Sequence, residues 1–271
     1  MSAMGRQNKL YLGTNTKMYK TIRMTEEFLT QLGTLTADLS REELELFVIP
    51  SFTALDRACP CARNGRIRLG AQNMGWEAEG QFSGEISPLM LKETGVELVM
   101  IGHSERRHVL GETDEMERKK LRCALKHDLT PLLCIGETGE EKQRCLSDEV
   151  LRIQIKTALG GLTPSEAERV QIAYEPVWAI GVGGIPASRE YAEEKHGVIR
   201  ACLCELFGAA SGERIPLLYG GSVNRENAPG LIEMRNIDGL FIGRSAWQAE
   251  NFNEIIRSVL ALWRTKEDRR K

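Results

Sequence analysis

Eight short apolar runs recur along this chain, and each has the length of one buried strand. They alternate with segments whose apolar residues repeat at the helical period. Alternation of strand and helix over the whole length predicts a parallel sheet covered by helices. The runs occupy residues 10–13, 46–49, 67–71, 98–101, 131–135, 170–174, 216–219 and 240–242.

The helical segments also carry signals for their ends. Ser188 is a candidate N-cap, and Gly208 is a candidate C-terminal stop for the helix between them. Ser87 followed by Pro88 predicts the start of a second helix, which Gly95 should end. These signals separate helices from the neighbouring strands and support the alternating pattern.

A closed (β/α)₈ barrel suits eight parallel strands, because closure leaves no exposed strand edges. An open doubly wound sheet is the alternative, but no G-x-G-x-x-G or Walker lysine loop follows the first run. The 271 residues match one barrel of roughly 250 residues. We therefore expect one domain over residues 1–271, with residues 1–8 and 265–271 as flexible tails.

Composition narrows the function classes. With 36 basic and 38 acidic residues the net charge is -2, which gives no reason to expect nucleic acid or an anionic membrane as a partner. No apolar run reaches signal-peptide or membrane-span length. The seven cysteines are an odd number without zinc-like spacing, so they indicate a reducing, cytoplasmic location and no metal site. We expect no cofactor.

The end of the sixth run carries the strongest single hint of chemistry. Glu175 ends this run, Pro176 stops the strand, and the glycine-rich stretch 181–184 follows. A carboxylate beside a loop that can close is suited to proton abstraction away from water. Glu175 is therefore our candidate for a general base.

Other polar residues follow the ends of other runs and should meet at the same face of a barrel. They form a set spread over five strand ends rather than one local motif. The set contains Asn15, Lys17, His103, Ser104, Glu105, Glu175, Gly220, Gly221, Ser222, Gly243, Arg244 and Ser245.

Four longer motifs contain most of these residues and occur in one order. They are N-x-K-M at 15–18, IGHSERR at 101–107, AYEPVWAIG at 173–181 and YGGSV at 219–223. In sequence and order they resemble the triosephosphate isomerase family, over residues 10–247. The resemblance implies a (β/α)₈ barrel that interconverts aldose and ketose phosphates without a cofactor.

The resemblance implies a role for each matching residue. Glu175 is the base that moves a proton between adjacent carbons. His103 is a neutral imidazole that donates to the enediolate, at the start of a helix capped by Ser104. Lys17 supplies a positive charge and Asn15 orients the substrate. Glu105 has either a supporting role, in which it pairs with Lys17 or complements the helix dipole, or a catalytic one.

The substrate phosphate has no lysine-rich loop to bind it, so backbone N–H groups of glycine-containing turns are the expected donors. The candidates are Gly181, Gly221, Ser222, Gly243 and Arg244. Trp178 is expected to anchor the hinge of the lid. Cys134 is expected to be a packed thiol.

The chain departs from the family pattern at Thr16 and Tyr19, in the lid at 184–186, and at Arg244, where a glycine is usual. Similar lid and eighth-loop segments occur in family members that act on four-carbon ketose phosphates. The intact set of polar residues favours a triosephosphate isomerase, with an isomerase of erythrulose phosphate in tetritol catabolism as the alternative. A barrel that binds phosphate without catalysis is the alternative from another class.

The resemblance also implies a homodimer. The loop around residues 72–86 resembles the family loop that reaches into the neighbouring subunit. Met74, Trp76 and Phe82 lie in this loop, and a single chain would expose their apolar surface. The partners expected are thus a small phosphorylated sugar and a second copy of the chain.

Overall fold

The computed structural model describes residues 9–181 and 184–270, the last four of them by backbone alone. Eight parallel strands close into a barrel in sequence order, and β8 pairs with β1. The predicted (β/α)₈ barrel is confirmed. The strands are β1 Leu10–Asn15, β2 Leu44–Ile49, β3 Arg68–Ala71, β4 Leu98–Ile101, β5 Thr130–Ile135, β6 Gln171–Tyr174, β7 Leu217–Tyr219 and β8 Gly239–Ile242.

Helices cover the outside of the barrel, because the outward side chains of the strands are apolar and need a second layer. Ser87 and Ser188 cap α3 and α9 as predicted, each accepting a backbone N–H from the residue three positions on. In chain order the helices of the described residues are α1 Ile22–Leu35, α2 Leu55–Asn64, α3 Pro88–Glu93, α4 Ser104–His108, α5 Asp114–Lys126, α6 Gly139–Gln143, α7 Ser147–Leu159, α8 Pro164–Ala167, α9 Arg189–Phe207, α10 Ala209–Gly212, α11 Ala228–Ile232 and α12 Ala249–Arg270.

A separate cluster of buried side chains fills the inside of the barrel. Phe47 and Phe241 stack there with ring centroids 5.8 Å apart. Gly13 makes room for this pair, since a β-carbon at Gly13 would lie 2.0 Å from the Phe47 ring. The interior is therefore packed, and the mouth at the carboxyl ends of the strands is where a barrel of this kind accepts a ligand. The cluster is Tyr11, Phe47, Ile49, Leu98, Met100, Leu132, Cys134, Ala173, Leu218 and Phe241.

The tail predicted to start at residue 265 needs correction. Residues 265–270 continue α12. Lys266 is buried, and its ammonium donates to the carbonyl oxygens of Ile232, Met234 and Ile237. Residues 1–8 and 271 lie outside the described residues. No helix in the described part of the chain is both long and apolar enough to cross a membrane.

Candidate active site

Glu175 directly follows β6 and is held there by the neighbouring strands. Its backbone N–H donates to the Ile135 carbonyl at 2.7 Å. Two glycines leave space around it: a β-carbon at Gly136 would lie 1.9 Å from the Glu175 carbonyl oxygen, and one at Gly220 would lie 2.7 Å from its Cγ. A side chain at Gly136 would therefore displace the Glu175 backbone, and one at Gly220 would displace its side chain.

The Glu175 carboxyl is almost completely buried, with 4% of the residue exposed. Burial raises its pKa, while His103, Lys17 and the Cys134 thiol act in the opposite direction. Its Oε2 has no hydrogen-bond partner among the described residues. A buried carboxylate with a raised pKa and a free oxygen is suited to accept a proton from a ligand. Cys134 is itself buried, and burial raises its thiol pKa, as expected for a packed thiol.

His103 lies opposite this carboxylate, with Nε2 3.8 Å from Glu175 Oε1. It corrects one prediction, because His103 and not Ser104 caps α4: its Nδ1 accepts the backbone N–H of Glu105 at 3.3 Å. In a neutral imidazole the ring nitrogen that accepts an N–H carries no proton, so this contact assigns the ring proton to Nε2. The proton faces Glu175, where it can be donated to a ligand oxygen.

Lys17 reaches the site from the loop after β1. Its Nζ bonds Glu105 Oε1 at 2.6 Å, the contact that a supporting role of Glu105 requires. Asn15 Oδ1 accepts the Lys17 backbone N–H at 2.8 Å and an amide N–H of Gln72 at 3.1 Å. Asn15 thus shapes the loop that carries the ammonium group, whatever it contributes to a bound ligand.

The loops after β7 and β8 offer backbone donors. The N–H groups of Gly221, Ser222, Gly243 and Arg244 donate to no residue in the described ranges. Asn227 fixes the first loop by donating its side-chain amide to the Ser222 carbonyl at 2.8 Å. Four open N–H groups on adjacent loops form a site suited to a phosphate group.

The buried Glu137 carboxylate contacts residues on both sides of the predicted lid, the glycine-rich stretch after β6. It accepts hydrogen bonds from Trp178 Nε1 at 2.8 Å, from the Tyr191 hydroxyl at 2.8 Å and from the Tyr174 hydroxyl at 3.0 Å. The Lys142 ammonium lies 3.3 Å from the centroid of the Trp178 ring. The arrangement agrees with the predicted anchoring role of Trp178, and it joins both flanks of the lid to one carboxylate.

The lid itself is described only in part, since Val182 and Gly183 lie outside the described residues. Gly181 has a φ of 85°, in the left-handed region that favours glycine. Gly184 approaches the Ala179 backbone so closely that a β-carbon would lie 2.6 Å from it. The Ile185 N–H is 3.4 Å from the Trp178 carbonyl. The two ends of the lid therefore meet at its base.

The departures at Thr16 and Tyr19 have a structural account. Thr16 is buried. Trp247, from the loop after β8, packs on Tyr19, with ring centroids 4.6 Å apart. Arg244 is exposed and leaves the N–H of its own backbone open. The altered residues thus lie at the junction of the first and eighth loops.

Sequence reasoning missed four residues that support the site: Gln72, Glu137, Tyr191 and Trp247. The signal was available for two of them, because Gln72 and Glu137 follow β3 and β5 just as Glu175 follows β6. Tyr191 and Trp247 had no such signal. Their contacts depend on how a helix start and a loop pack against distant strands.

Comparison with known proteins shows the family of the chain. The triosephosphate isomerase family profile matches residues 10–259. An L-erythrulose-1-phosphate isomerase of Rhizobium etli is 47% identical over 254 residues, 93% of each chain. One of Mesorhizobium japonicum is 43% identical and a triosephosphate isomerase of Dictyoglomus thermophilum 41%, each over 91% of this chain and 95% and 98% of theirs. The chain is an isomerase that belongs to the triosephosphate isomerase family.

Proposed function

We propose that this protein isomerises L-erythrulose 1-phosphate, a four-carbon ketose phosphate, by moving one proton between adjacent carbons. The observation that carries the reaction type is the buried Glu175 carboxylate with Oε1 3.8 Å from His103 Nε2. Relatives of that name at 47% and 43% identity support the substrate.

The proton transfer follows from the chemistry of the substrate. In this ketose C2 is the carbonyl carbon, C1 carries the phosphate, and C3 carries both a hydroxyl group and an acidic hydrogen. Glu175 removes the C3 proton, and the electron pair forms the C2–C3 double bond of an enediolate while His103 Nε2–H donates to its oxygens. Glu175 then delivers the proton to C2, while the hydroxyl proton of C3 passes by way of His103 to the C2 oxygen, so that the C3 oxygen becomes the carbonyl oxygen and the C2 oxygen a hydroxyl group.

The product is a ketose rather than an aldose. Both carbons that exchange roles are internal, so the carbonyl moves from C2 to C3 and no aldehyde forms. Counted from the other end, the product is a tetrulose 4-phosphate. The aldose–ketose reaction expected from sequence applies only to the three-carbon substrate.

The remaining groups have matching roles in the proposal. The Lys17 ammonium, already placed by Glu105, stabilises the negative charge that develops on the enediolate. The open N–H groups after β7 and β8 hold the phosphate, with Gly181 as a further donor when the lid is closed. A closed lid excludes water and so limits loss of phosphate from the enediolate.

Triosephosphate isomerisation is the second candidate function. The sequence motifs favour it, and the 41% identical relative of that name supports it. It comes second because the relatives named for the four-carbon substrate have the higher identities, 47% and 43%. The buried Glu175 carboxylate with its raised pKa argues against the third alternative, a barrel that binds phosphate without catalysis.

The decisive experiment measures kcat/KM of the purified protein on L-erythrulose 1-phosphate and on dihydroxyacetone phosphate. We expect kcat/KM to be about 10-fold or more higher for the four-carbon substrate, because one missing carbon in a pocket that fits the longer substrate usually costs at least that factor. In D₂O the product should be a ketose carrying one deuterium at the carbon that gains hydrogen. A preference for dihydroxyacetone phosphate would overturn the proposed substrate, and failure to turn over either would overturn the proposed function.

A homodimer is proposed as the functional assembly. Met18, next to Lys17, is 95% exposed, and Val109 and Leu110 after α4 are exposed as well. A cavity of about 450 Å³ lies between the 72–86 loop and α3, and Trp76, Phe82, Leu89 and Met90 contribute to its lining. Apolar surface of this kind at the mouth of the barrel supports burial against a second copy.

One argument from sequence is corrected, because Met74 is buried within the single chain and does not require a partner. Met18→Asp should shift the mass in solution from dimer to monomer, while far-UV circular dichroism stays unchanged. A wild-type mass of one chain at micromolar concentration would refute the dimer.

A cytoplasmic location is also proposed. All seven cysteines are free thiols in the structure. A chain with this many unpaired thiols is suited to a reducing compartment. Cell fractionation with a tagged chain tests this location directly.

A further inference from the structure

Trp247 joins two loops of the site that are far apart in sequence. Its indole Nε1–H donates to the Asn15 carbonyl oxygen at 2.9 Å, across 232 positions. Its ring also packs on Tyr19 at a tilt of 41°. At its own backbone, Trp247 ends the 3₁₀ turn Arg244–Ala246 by donating to the Arg244 carbonyl at 3.1 Å. One residue therefore contacts both the lysine loop and the loop that offers phosphate donors.

The lysine loop needs such support because its backbone is strained. Lys17 has a φ of 51°, in the left-handed region that is unfavourable for a non-glycine residue. Gln72 holds one side of it, since its amide donates to the Lys17 carbonyl at 2.8 Å and to Asn15 Oδ1. Trp247 holds the other side through the Asn15 carbonyl. The strained residue is thus fixed between a group from β3 and a group from the eighth loop.

We propose that Trp247 is a positioning residue, whose indole hydrogen bond fixes the Lys17 ammonium relative to the phosphate donors of Gly243 and Arg244. The inference rests on the proposed function, in which the enediolate and the phosphate belong to the same ligand. The two groups bind different ends of that ligand, so the distance between their loops must match its length. A shift of about 1 Å between catalytic groups can cost 10²-fold in rate.

The hydrogen bond can be separated from the bulk of the ring. Trp247→Phe keeps an aromatic ring against Tyr19 but removes the donor. Trp247→His keeps a five-membered ring with an N–H at the same place along the side chain. If the bond matters, Trp247→Phe lowers kcat about 10-fold or more, and Trp247→His retains clearly more activity than Trp247→Phe.

Two further measurements distinguish positioning from a general loss of structure. The Trp247→Phe enzyme should release more inorganic phosphate per turnover, since a displaced ammonium stabilises the enediolate less. Its inhibition constant for inorganic phosphate should stay within about threefold of wild type, because the backbone donors remain. Trp263→Phe in the core of α12 is the matched control, and it should lower Tm with kcat unchanged.

Each result has a defined consequence. Wild-type kcat in Trp247→Phe, or equal loss in the phenylalanine and histidine variants, overturns the positioning role while the proposed function stands. Loss of kcat without increased phosphate release also overturns it, because the lysine would then be in place. A wild-type chain that turns over neither ketose phosphate overturns the proposed function together with this inference.

Discussion

Two sides of the barrel mouth satisfy their polar groups in different ways. On the proposed catalytic side, which comprises the loops after β1, β4 and β6, polar side chains contact one another: Lys17 bonds Glu105, and His103 faces Glu175. On the phosphate side, which comprises the loops after β7 and β8, backbone N–H groups lack partners in the described residues. The first side is thus organised without a ligand, while in the proposed function the ligand phosphate completes the second.

The difference indicates what each side contributes. Charges that stabilise a transition state must be placed in advance, since moving them during the reaction would cost energy. Backbone donors need no such placement beyond the turn that carries them, and they accept any anion of suitable size. Substitutions on the catalytic side should therefore affect kcat, whereas changes of side chain on the phosphate side should have small effects.

The largest effect is expected for Glu175→Gln. The amide cannot accept a proton, so kcat should fall by about 10³-fold or more, with Tm close to wild type. Exchange of substrate hydrogen with D₂O should be lost in parallel. Retained exchange would show that another group is the base and that the catalytic side is wrongly assigned.

Gly220→Ala tests whether the base must be placed to within a fraction of an ångström. The new β-carbon would lie 2.7 Å from Glu175 Cγ and 3.3 Å from Oε1, so the carboxylate must move. We expect kcat to fall by about 10²-fold. Gly197→Ala in α9 is the control, because its β-carbon would lie 3.8 Å from Asn236 Nδ2, an ordinary van der Waals contact, and activity should be unchanged. Wild-type kcat in Gly220→Ala would argue that the placement is loose.

Arg244→Gly sharpens the comparison from the phosphate side. The side chain is lost but the backbone N–H stays, so KM should rise by less than about 10-fold and kcat should hardly change. Steady-state kinetics at low and high salt measure both. A loss of about 10²-fold that disappears at high salt would mean that the guanidinium, not the backbone, binds the phosphate.

The smallest effect on activity is expected beneath the catalytic side, at Glu117 in α5. This carboxyl is buried near Arg107, Glu112 and Lys120, and burial raises its pKa to about 7. In the unfolded chain the pKa of this carboxyl is the ordinary 4.5. The folded state therefore loses stability as the pH rises from about 4.5 to about 7, and the loss remains at higher pH.

Glu117→Gln should therefore raise the free energy of unfolding by on the order of 1 to 3 kcal/mol at pH 8, and by much less near pH 5. Urea unfolding at the two pH values measures the difference, and kcat should remain that of wild type. An equal change at both pH values would mean that the carboxyl does not titrate in this range.

Residues whose roles come from local pattern could be predicted from sequence. The strands, the caps at Ser87 and Ser188, and the placement of Glu175, His103 and Lys17 at strand ends all follow from runs and spacing. Contacts between distant segments could not, because no local pattern encodes them. The Trp247 bond to Asn15 and the Glu137 bonds to both flanks of the lid depend on packing after the barrel closes. The predicted N-cap of α4, Ser104, was wrong by one residue, because histidine, here His103, rarely serves as an N-cap.

The seam where β8 joins β1 has a consequence for synthesis of the protein. Tyr11 pairs with Gly239 and Thr14 with Ile242, so one edge of β1 stays unpaired until β8 has been synthesised. A growing chain on the ribosome exposes unpaired edges on β1 and β7 until residues 239–242 emerge, and such edges invite aggregation. Chaperone capture of nascent chains should therefore end only after residues 239–242 have left the ribosome.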